Sequence, residues 1–508
     1  MGQKSVEDKI YDVLVVGGGI NGAGIARDAA GRGLSVCLCE KDDLAQHTSS
    51  ASSKLIHGGL RYLEYYEFGL VRKALQEREV LLDLAPHIIW PLRFVMPHDP
   101  TGRPKWLIRT GLFLYDHLAS RKVLRGTESI RFDSHASGQP LKAGYSHGFA
   151  YSDGWVQDAR LVVLNVMDAA ERGAVVHTQT ACVAAKRENG VWHCTLQGAN
   201  GVQQVKARTV VNAAGAWVES VLKNVVGQKS AHALRLVKGS HIVVKKLFDH
   251  PDAYIFQNPD KRIIFAIPYE KDFTLIGTTD VEYHADPARV SIDHDEISYL
   301  CQMSNRYFEQ QISPNDVVAT FSGVRPLLDD ASGNAASVTR DYSLEFDPAE
   351  GLLSVFGGKI TTYRKLAEQA VDLLAPHLGN HHAIWSATKA LPGGDLHGSF
   401  EQFMQKLAKD FAWMPGDLLQ RYARTYGSRT AVLLKGARCV ADLGEEILPA
   451  LYAAEVRYLM QFEWAKSAED ILWRRTKLRL HLPANADEIL SQWLAKTAVR
   501  STDTALVS

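Results

Sequence analysis

The feature that most constrains the fold is a glycine pattern placed directly after an apolar segment. Residues 11–16 are rich in valine, and Gly17, Gly19 and Gly22 follow with the spacing G-x-G-x-x-G. The first glycine permits a tight turn after a buried strand, and the second lets the backbone approach a ligand. The pattern therefore predicts a strand over 11–16 and a helix over 20–33.

A second short strand is predicted over residues 34–39, and it ends at Glu40. Strand, glycine turn, helix, strand and acid occur in the order of a dinucleotide-binding β-α-β unit. Its helix N-terminus offers unpaired N–H groups to a pyrophosphate, and its acidic residue accepts hydrogen bonds from a ribose. We favour a dinucleotide site over a purely structural turn. The predicted binding residues are Gly17, Gly19, Ile20, Asn21, Gly22 and Glu40.

The segment that follows this unit favours FAD over NAD. Residues 48–59, TSSASSKLIHGG, are rich in serine and threonine, whereas a nicotinamide-binding domain usually continues with further strands of the same sheet. Hydroxyl and backbone N–H groups suit a pyrophosphate and a ribityl chain. An alternating meander over 181–215 and a glycine turn at 357–359 also fit a two-domain flavoprotein.

Composition argues against several other classes. Basic and acidic residues are equal in number, 57 each, so no field that attracts nucleic acid is expected. The six cysteines lack the spacing of a metal site, so we expect no bound metal. Cys37 and Cys39 lie in an apolar run, and we expect them to be small buried residues of a protein in a reducing compartment. The N-terminus has no apolar signal core, and no run of about 18 apolar residues occurs. We therefore expect a cytoplasmic protein.

One segment departs from the neutral balance. Residues 87–125 carry an excess of five positive charges, and residues 104–120 within them, PKWLIRTGLFLYDHLAS, have the pattern of an amphipathic helix. We expect this helix to lie on an anionic membrane surface, and the alternative is a core helix with solvated charges. The membrane interpretation expects these large apolar side chains to be exposed: Trp106, Leu107, Phe113 and Leu114.

These elements predict an α/β protein (α+β overall). We expect a Rossmann-like FAD-binding domain, an antiparallel-sheet substrate domain and a C-terminal all-helical cap domain. The FAD-binding domain is predicted from three segments, 10–85, 151–234 and 321–385. The substrate domain is predicted from an insertion at 86–150, which carries the helix 104–120, and from residues 235–320. The cap is predicted over 390–508.

Further motifs occur in order along the chain. They are VGGGINGAGIARDAAGRG (16–33), SSASSKLIHGGLRYLE (49–64), LVKGSHIVV (236–244), IGTTD (276–280), SGVRPL (322–327), TRDY (339–342), GGKITTYRKLA (357–367) and WRRTK (473–477). Together they resemble the FAD-dependent glycerol-3-phosphate dehydrogenases of the bacterial respiratory type, within the D-amino-acid-oxidase-like flavoproteins. The likeness covers nearly the whole chain.

The resemblance implies oxidation of sn-glycerol 3-phosphate to dihydroxyacetone phosphate. A hydride would pass from C2 to N5 of non-covalently bound FAD, and electrons would pass to a membrane quinone. It also implies a peripheral location at the inner face of the cytoplasmic membrane, and we expect a homodimer. Three alternatives remain open: an oxidase that uses O2, a relative that oxidises amines or 2-hydroxy acids, and a flavin-binding module that no small alcohol reduces.

Basic residues beside the matched motifs are the candidates for phosphate binding. Guanidinium groups bind a phosphate dianion with two parallel hydrogen bonds, and an ammonium adds a point charge. The candidates are Arg325, Arg340 and Lys359, with Arg61 joining them through the resemblance.

Oxidation of an alcohol also needs a base for the hydroxyl proton. We expect Tyr62 and His241 to contact the substrate, and His57 to lie beside the flavin. Thr278, Thr279 and Asp280 are expected to bond the substrate or to position the base, with a structural turn as the alternative. The other cofactor contacts that the resemblance implies are Ser52, Ser53, His57, Gly58, Val183, Ala213, Gly215, Gly358 and Thr361.

Overall fold

The described part of the chain comprises residues 9–99, 102–199, 201–230, 232–260, 262–328 and 341–505 of a computed structural model, with side chains described as far as residue 497. The strands are β1 Ile10–Val16, β2 Val36–Cys39, β3 Leu55–Ile56, β4 Ile89–Pro97, β5 Glu128–Arg131, β6 His147–Val156, β7 Val175–His177, β8 Thr180–Glu188, β9 Val191–Gly198, β10 Gly201–Asn212, β11 Leu234–Lys245, β12 Ala253–Gln257, β13 Ile263–Tyr269, β14 Phe273–Gly277, β15 Val281–Glu282, β16 Val317–Leu328, β17 Ser343–Asp347, β18 Leu352–Phe356, β19 Glu446–Leu448 and β20 Leu451–Tyr452. The helices are α1 Ile20–Gly31, α2 Phe68–Leu84, α3 Lys105–His117, α4 Asp158–Glu171, α5 Val218–Val221, α6 His294–Asn305, α7 Tyr363–Leu378, α8 Phe400–Asp410, α9 Gly416–Tyr426, α10 Thr430–Leu433, α11 Ala453–Glu463 and α12 Ala486–Ala505.

The first sheet contains the predicted β-α-β unit. β1 runs parallel to β2 on one side and to β10 on the other, and β10 runs parallel to β18. Valine and leucine side chains of β1 and β2 are buried, as expected for a parallel sheet covered on both faces. A Cβ at Gly24 would lie 2.7 Å from the Tyr363 ring, so α1 and α7 approach closely. Because β1 and β2 are parallel and α1 begins directly after β1, the carboxyl ends of both strands lie at the same edge of the sheet as the N-terminus of α1.

The predicted meander is also present. β9 pairs antiparallel with β8 on one side and with β10 on the other. β10 also runs parallel to β1 and so joins the meander to the first sheet. Cys37 and Cys39 share a buried apolar cluster with Cys182 and Cys194, which confirms their interpretation as small core residues.

The second sheet is mostly antiparallel and has the order β15-β11-β14-β13-β12-β4-β6-β3, with β16 also paired to β11. Residues 321–328 belong to this sheet as part of β16, although the sequence prediction placed them in the FAD-binding domain. The predicted boundary at residue 320 cuts through β16, because this strand begins at Val317 and stays paired with β11 through Leu328. Arg325 therefore lies opposite Val237 of β11.

The C-terminal part contains α8 to α12 and the short β19–β20 pair. It has its own apolar core, in which Leu419, Tyr422 and Leu459 are buried. The fold class predicted from the sequence is thus confirmed, with one correction: the C-terminal part is helical but not all-helical, because it contains the β19–β20 pair. The remaining segment boundaries of the three predicted domains stay a prediction.

Candidate functional site

The glycine turn after β1 is shaped by close backbone contacts. A Cβ at Gly22 would lie 1.9 Å from the carbonyl oxygen of Gly17, and one at Gly17 would lie 2.5 Å from that of Ala213. Gly17 also has a φ of 115°, which favours glycine. No larger residue fits these two positions, so the turn brings the start of α1 against the ends of β1 and β10.

Glu40 organises the same edge of the sheet. Its carboxylate accepts hydrogen bonds from the Gly18 N–H at 2.6 Å and from the Asp42 N–H at 2.9 Å. Burial raises the pKa of this carboxyl, although both backbone donors oppose the effect. A carboxylate oxygen can accept two hydrogen bonds, and each oxygen of Glu40 accepts one in the structure. Glu40 can therefore also accept a hydrogen bond from a ribose hydroxyl.

A cavity of about 230 Å³ opens at this edge, and we call it the glycine-turn cavity. Its lining includes five predicted cofactor residues: Gly17, Gly19, Glu40, Ala213 and Gly215. Val183, also predicted, is not among the lining residues and its side chain is 41% exposed, whereas Thr180, Ala181 and Cys182 line the wall. A role for Val183 stays a prediction that its side chain does not support.

A second cavity, of about 320 Å³, lies between the two sheets, and we call it the central cavity. Thr48 lines both cavities, so one elongated ligand can extend from the glycine turn into the central cavity. The sequence-predicted residues that line the central cavity are Ser53, His57, Gly58, Arg61, Tyr62, Thr278, Asp280, Arg325, Gly358, Lys359 and Thr361. Residues more than 300 positions apart in the sequence thus meet around one space.

The two adjacent glycines of the segment 52–64 have different structural roles. Gly59 has a φ of 75° at the start of a short helical turn over Leu60–Tyr65, and a Cβ there would lie 2.3 Å from the Tyr62 ring. Gly58 packs against α3, where its N–H donates to the Tyr115 hydroxyl at 2.8 Å. Together they turn Arg61 and Tyr62 toward the central cavity.

Three of the candidate phosphate-binding residues line the central cavity: Arg61, Arg325 and Lys359. Arg325 donates to Thr278 Oγ1 at 3.1 Å and to Asp280 Oδ1 at 3.3 Å. The ammonium of Lys359 lies 4.2 Å from the centroid of the Tyr62 ring. Arg61 makes no hydrogen bond or ion pair to any residue that the structure describes, so its guanidinium is available to a ligand.

Arg340, the remaining phosphate-binding candidate, lies outside the described residues. Thr279, predicted with Thr278 and Asp280, also lines the central cavity, but its hydroxyl is engaged within the protein. Its hydroxyl donates to Glu296 Oε1 at 2.6 Å and accepts from the Ser240 N–H at 2.9 Å. These bonds tie the turn to α6 and so fix the position of Thr278 and Asp280.

His241 lies behind the cavity wall and not among the lining residues. It is 2% exposed on β11, stacked on Phe321, and its Nε2 lies 2.9 Å from the Ser53 hydroxyl, which does line the cavity. Burial lowers the pKa of His241 to about 3, and the charges of Lys54 and Arg325 act in the same direction. The imidazole is therefore neutral at physiological pH and reaches the cavity through Ser53.

Ser52 is placed differently from Ser53. Its hydroxyl donates to the buried carboxylate of Asp158 at 2.8 Å, and it lines neither cavity. Lys54 donates to the same carboxylate at 2.8 Å. Burial would raise the pKa of Asp158, but the ammonium groups of Lys54 and Lys477 hold it below its usual value. The structure therefore supports a part for Ser52 in holding the loop and not a direct cofactor contact.

His57 borders a buried polar network that sequence reasoning missed. Asp153 lines the central cavity and accepts hydrogen bonds from Tyr115 at 2.8 Å and from Arg78 at 2.7 Å. Burial lowers the pKa of His57; Asp153 opposes the shift and Lys359 adds to it. The signal in the sequence was the acid of YSDGW, since an isolated acid within an apolar strand is buried only with partners.

Two observations test whether these residues suit a flavin dinucleotide. Asn21 donates to the Gly357 carbonyl at 2.9 Å, but its Oδ1 is buried and has no hydrogen-bond partner among the described residues. The turn at Gly357–Thr361 approaches Asn21 so closely that only glycine fits, because a Cβ at Gly358 would lie 2.7 Å from the Asn21 amide nitrogen. The continuous pair of cavities, the glycine turn and this orphaned oxygen therefore fit FAD. Ile20 was also predicted to bind the cofactor, but its N–H donates to Ser49 Oγ at 3.0 Å instead of pointing to an open ligand position.

Comparison with protein families decides the assignment. A model described as FAD dependent oxidoreductase matches residues 12–364, and a second, described as the C-terminal domain of alpha-glycerophosphate oxidase, matches residues 384–498. The chain belongs to the FAD-dependent oxidoreductase family. FAD is therefore its cofactor, as the sequence predicts, and the cavities described above are the candidate site for it.

Two named relatives and one solved structure are similar to this chain over nearly its whole length. A glycerol-3-phosphate dehydrogenase of Pseudomonas aeruginosa is 55% identical over 96% of this chain and 95% of its own length. A D-erythritol 1-phosphate dehydrogenase of Brucella abortus is 51% identical over 96% and 97%. The crystal structure of the glycerol-3-phosphate dehydrogenase from Bacillus halodurans, complexed with FAD, has a TM-score of 0.78 at 28% identity and covers 97% of this chain and 91% of its own.

Proposed function

We propose that this enzyme oxidises the secondary alcohol of sn-glycerol 3-phosphate to the ketone of dihydroxyacetone phosphate. The observation that carries the proposal is the convergence of Arg325, Arg61 and Lys359 on the central cavity, which provides the charge and fork geometry that a phosphate dianion requires. When bound, FAD supplies the acceptor for the hydride that leaves C2. The residues of the chain must then bind the phosphate, orient C2 and remove the hydroxyl proton.

The hydroxyl proton has a path away from the substrate. Ser53 lines the cavity and shares a 2.9 Å hydrogen bond with Nε2 of His241, so its hydroxyl can pass a proton to the neutral imidazole. Burial is the largest cause of the lowered pKa of His241, and the cations of Lys54 and Arg325 lower it further. A bound phosphate dianion offsets this positive field and so raises the basicity of the imidazole when the substrate is present.

Tyr62 and Lys359 also line the central cavity, where we propose that the substrate binds. The Lys359 ammonium is held over the Tyr62 ring, and both residues line the cavity with Thr361, whose Oγ1 accepts from the His57 N–H at 3.2 Å. A lysine at the turn before α7 suits the negative charge that develops on the reduced cofactor. Thr278 and Asp280, held by Arg325, are placed to contact the hydroxyl groups of the polyol.

The electron acceptor that we propose is a membrane quinone. The outer face of α3 exposes 70% of Trp106 and 58% of Phe113, while Leu112 and Tyr115 of the same helix are buried. Trp106, Leu107, Phe113 and Leu114 are all exposed, as the membrane interpretation expects. Among the described residues, no helix is both long and apolar enough to cross a membrane. Peripheral docking through α3, at the inner face of the cytoplasmic membrane, accounts for these features.

The inner face of α3, opposite the proposed docking face, packs against a residue that lines the central cavity. Tyr115 follows the exposed Leu114 on α3, and its hydroxyl accepts from the N–H of the cavity residue Gly58. A lipid-soluble acceptor can therefore approach the cofactor over a short distance from the bilayer. The expected homodimer stays a prediction.

Product and acceptor analysis tests this function. Enzyme on anionic vesicles that contain a quinone is given glycerol 3-phosphate, and dihydroxyacetone phosphate, quinol and hydrogen peroxide are measured together. The proposal predicts one quinol for each ketone formed and little peroxide. Equimolar peroxide would assign an oxidase instead. Faster turnover of D-erythritol 1-phosphate, the substrate in the name of the Brucella relative, would assign the longer polyol.

A further inference from the structure

Two adjacent arginines of the C-terminal part converge on one buried carboxylate outside it. Asp43 accepts from Arg474 Nε at 2.6 Å, and from Arg475 Nη1 at 2.6 Å and Nη2 at 2.7 Å. Asp43 is 2% exposed, and the two arginines are 5% and 1% exposed. Arg474 also donates to Glu469 and Asp470, and Arg475 also donates to the Glu463 carbonyl, so both guanidinium groups are anchored within the C-terminal part. Buried, bidentate hydrogen bonds between charged groups are stronger than those of a surface ion pair.

Asp43 belongs to a segment that holds the glycine-turn cavity. We call residues 40–49 the cofactor loop, because Glu40, Lys41, Ala45, Gln46, His47, Thr48 and Ser49 all line that cavity. Asp43 lines neither cavity itself. Its backbone is fixed within the loop by a hydrogen bond from its N–H to Gln46 Oε1 at 3.1 Å and by one from the Gln46 N–H to its carbonyl at 3.2 Å. The position of Asp43 therefore sets the position of the loop.

The opposite wall of the same cavity is also tied to the C-terminal part. Lys466 donates to the Thr178 carbonyl at 3.2 Å. Thr178 precedes Thr180, Ala181 and Cys182, which line the cavity. The Thr180 N–H in turn donates to the Glu40 carbonyl at 2.7 Å, so the two walls are joined behind the ligand space. Three cationic side chains of the C-terminal part thus bond to residues that adjoin two walls of the glycine-turn cavity.

We propose that the C-terminal domain acts as a clamp that retains FAD, with Asp43 as the positioning residue through which Arg474 and Arg475 hold the cofactor loop closed. The clamp works on the adenosine end, away from the reacting atoms, and so governs how long FAD stays bound. It does not depend on which phosphorylated alcohol is oxidised. Relaxation of the loop would move Thr48 and Ser49 and open the cavity to water.

FAD binding by the full-length protein tests the clamp. Asp43→Asn keeps the shape of the side chain but removes its charge, and Lys466→Met removes the donor to the second wall. Flavin is removed, and the affinity for FAD is measured by titration, with release of bound FAD followed by its fluorescence on dilution. We expect Asp43→Asn to weaken FAD binding about tenfold or more, and Lys466→Met about threefold. Release should accelerate in the same proportion.

The control is an ion pair that joins the same two parts without touching the cofactor loop. Glu171 on α4 accepts from Arg429 at 2.6 Å, and it lines neither cavity. Glu171→Gln should leave FAD affinity within about twofold of the parent protein, because the loop is untouched. Melting temperatures of the flavin-free proteins are recorded beside the titrations. The clamp is refuted if Asp43→Asn binds FAD as tightly as the parent, or if Glu171→Gln weakens binding as much as Asp43→Asn does.

Discussion

The ammonium of Lys359 lies 4.2 Å from the centroid of the Tyr62 ring, and this contact joins the helical turn over Leu60–Tyr65 to the turn before α7. Arg325 reaches the same cavity from β16, so three elements distant in the chain surround the substrate space. A cation over an aromatic face is stabilised by the electron-rich face of the ring. The pair thus supplies both shape and charge to the proposed phosphate site.

Arg325→Lys should weaken substrate binding while the cation is retained. A lysine cannot reproduce the forked hydrogen bonds of a guanidinium, so we expect KM for glycerol 3-phosphate to rise at least about tenfold, which corresponds to a loss of about 1.4 kcal/mol or more. Steady-state kinetics measure the effect. Arg235→Lys, at a surface ion pair with Glu282 on the same sheet, is the matched control and should leave KM unchanged. Equal KM values for both variants would remove Arg325 from the phosphate site.

Tyr115→Phe should destabilise the wall of the central cavity. The change removes the acceptor of the Gly58 N–H and a donor to the buried carboxylate of Asp153, so we expect the free energy of unfolding to fall by about 1–3 kcal/mol. Denaturant titration of the FAD-bound protein measures it. Tyr283→Phe removes an exposed hydroxyl that donates to the Asp286 carbonyl and should cost far less. Similar losses in both variants would show that the Tyr115 network contributes nothing special.

The α3 surface should govern membrane attachment. Replacement of Trp106 and Phe113 by serine removes the largest exposed apolar groups, and Lys105→Glu with Arg109→Glu reverses the local charge. We expect both double variants to bind anionic vesicles at least about tenfold more weakly, measured by co-sedimentation. Lys406→Glu with Lys409→Glu on α8 is the control for net charge. Unchanged binding by both α3 variants would contradict docking through this helix.

Two buried histidines should make the protein less stable in mild acid. Burial lowers the pKa of His87 from 6.5 to about 3, and Arg160 and Arg424 add to the shift; His241 is lowered to about 3 as well. The unfolded chain takes up these protons near its unperturbed pKa, whereas the folded chain does not. The stability they contribute is therefore present above pH 6.5 and is lost as the pH falls from there toward 3.

His87→Leu tests this acid sensitivity away from the catalytic residues. The loss of unfolding free energy between about pH 7 and about pH 5 should shrink by about 2 kcal/mol, because one proton no longer binds only to the unfolded chain. Chemical denaturation at the two pH values measures the change. His294→Leu, an exposed histidine at the start of α6, should not alter the difference. An unaltered difference in His87→Leu would mean that His87 is not buried in its neutral form.

The sequence predicted the parts of the fold that depend on local pattern. The glycine turn, Glu40 and the alternating meander follow from spacing and periodicity alone, because each requires particular backbone conformations at adjacent positions. It could not separate Ser52 from Ser53, since neighbouring hydroxyls point to opposite sides and only the fold shows that one meets Asp158 and the other His241. Asp43 was missed for a related reason: its arginine partners lie on a distant element, and no local pattern marks it. Asp153 is marked only as an isolated acid in an apolar strand, and the sequence does not show which distant residues bind it.

The most direct measurement of the central claim is reduction of the bound flavin without oxygen. The FAD-bound enzyme is mixed anaerobically with glycerol 3-phosphate in a stopped-flow instrument, and the visible absorption of oxidised flavin is followed. Glycerol, which has the same secondary alcohol but no phosphate, is the matched comparison. The account predicts rapid, saturable loss of absorption with glycerol 3-phosphate and none with glycerol at the same concentration. No loss with the phosphate ester, or equal loss with both alcohols, would contradict it.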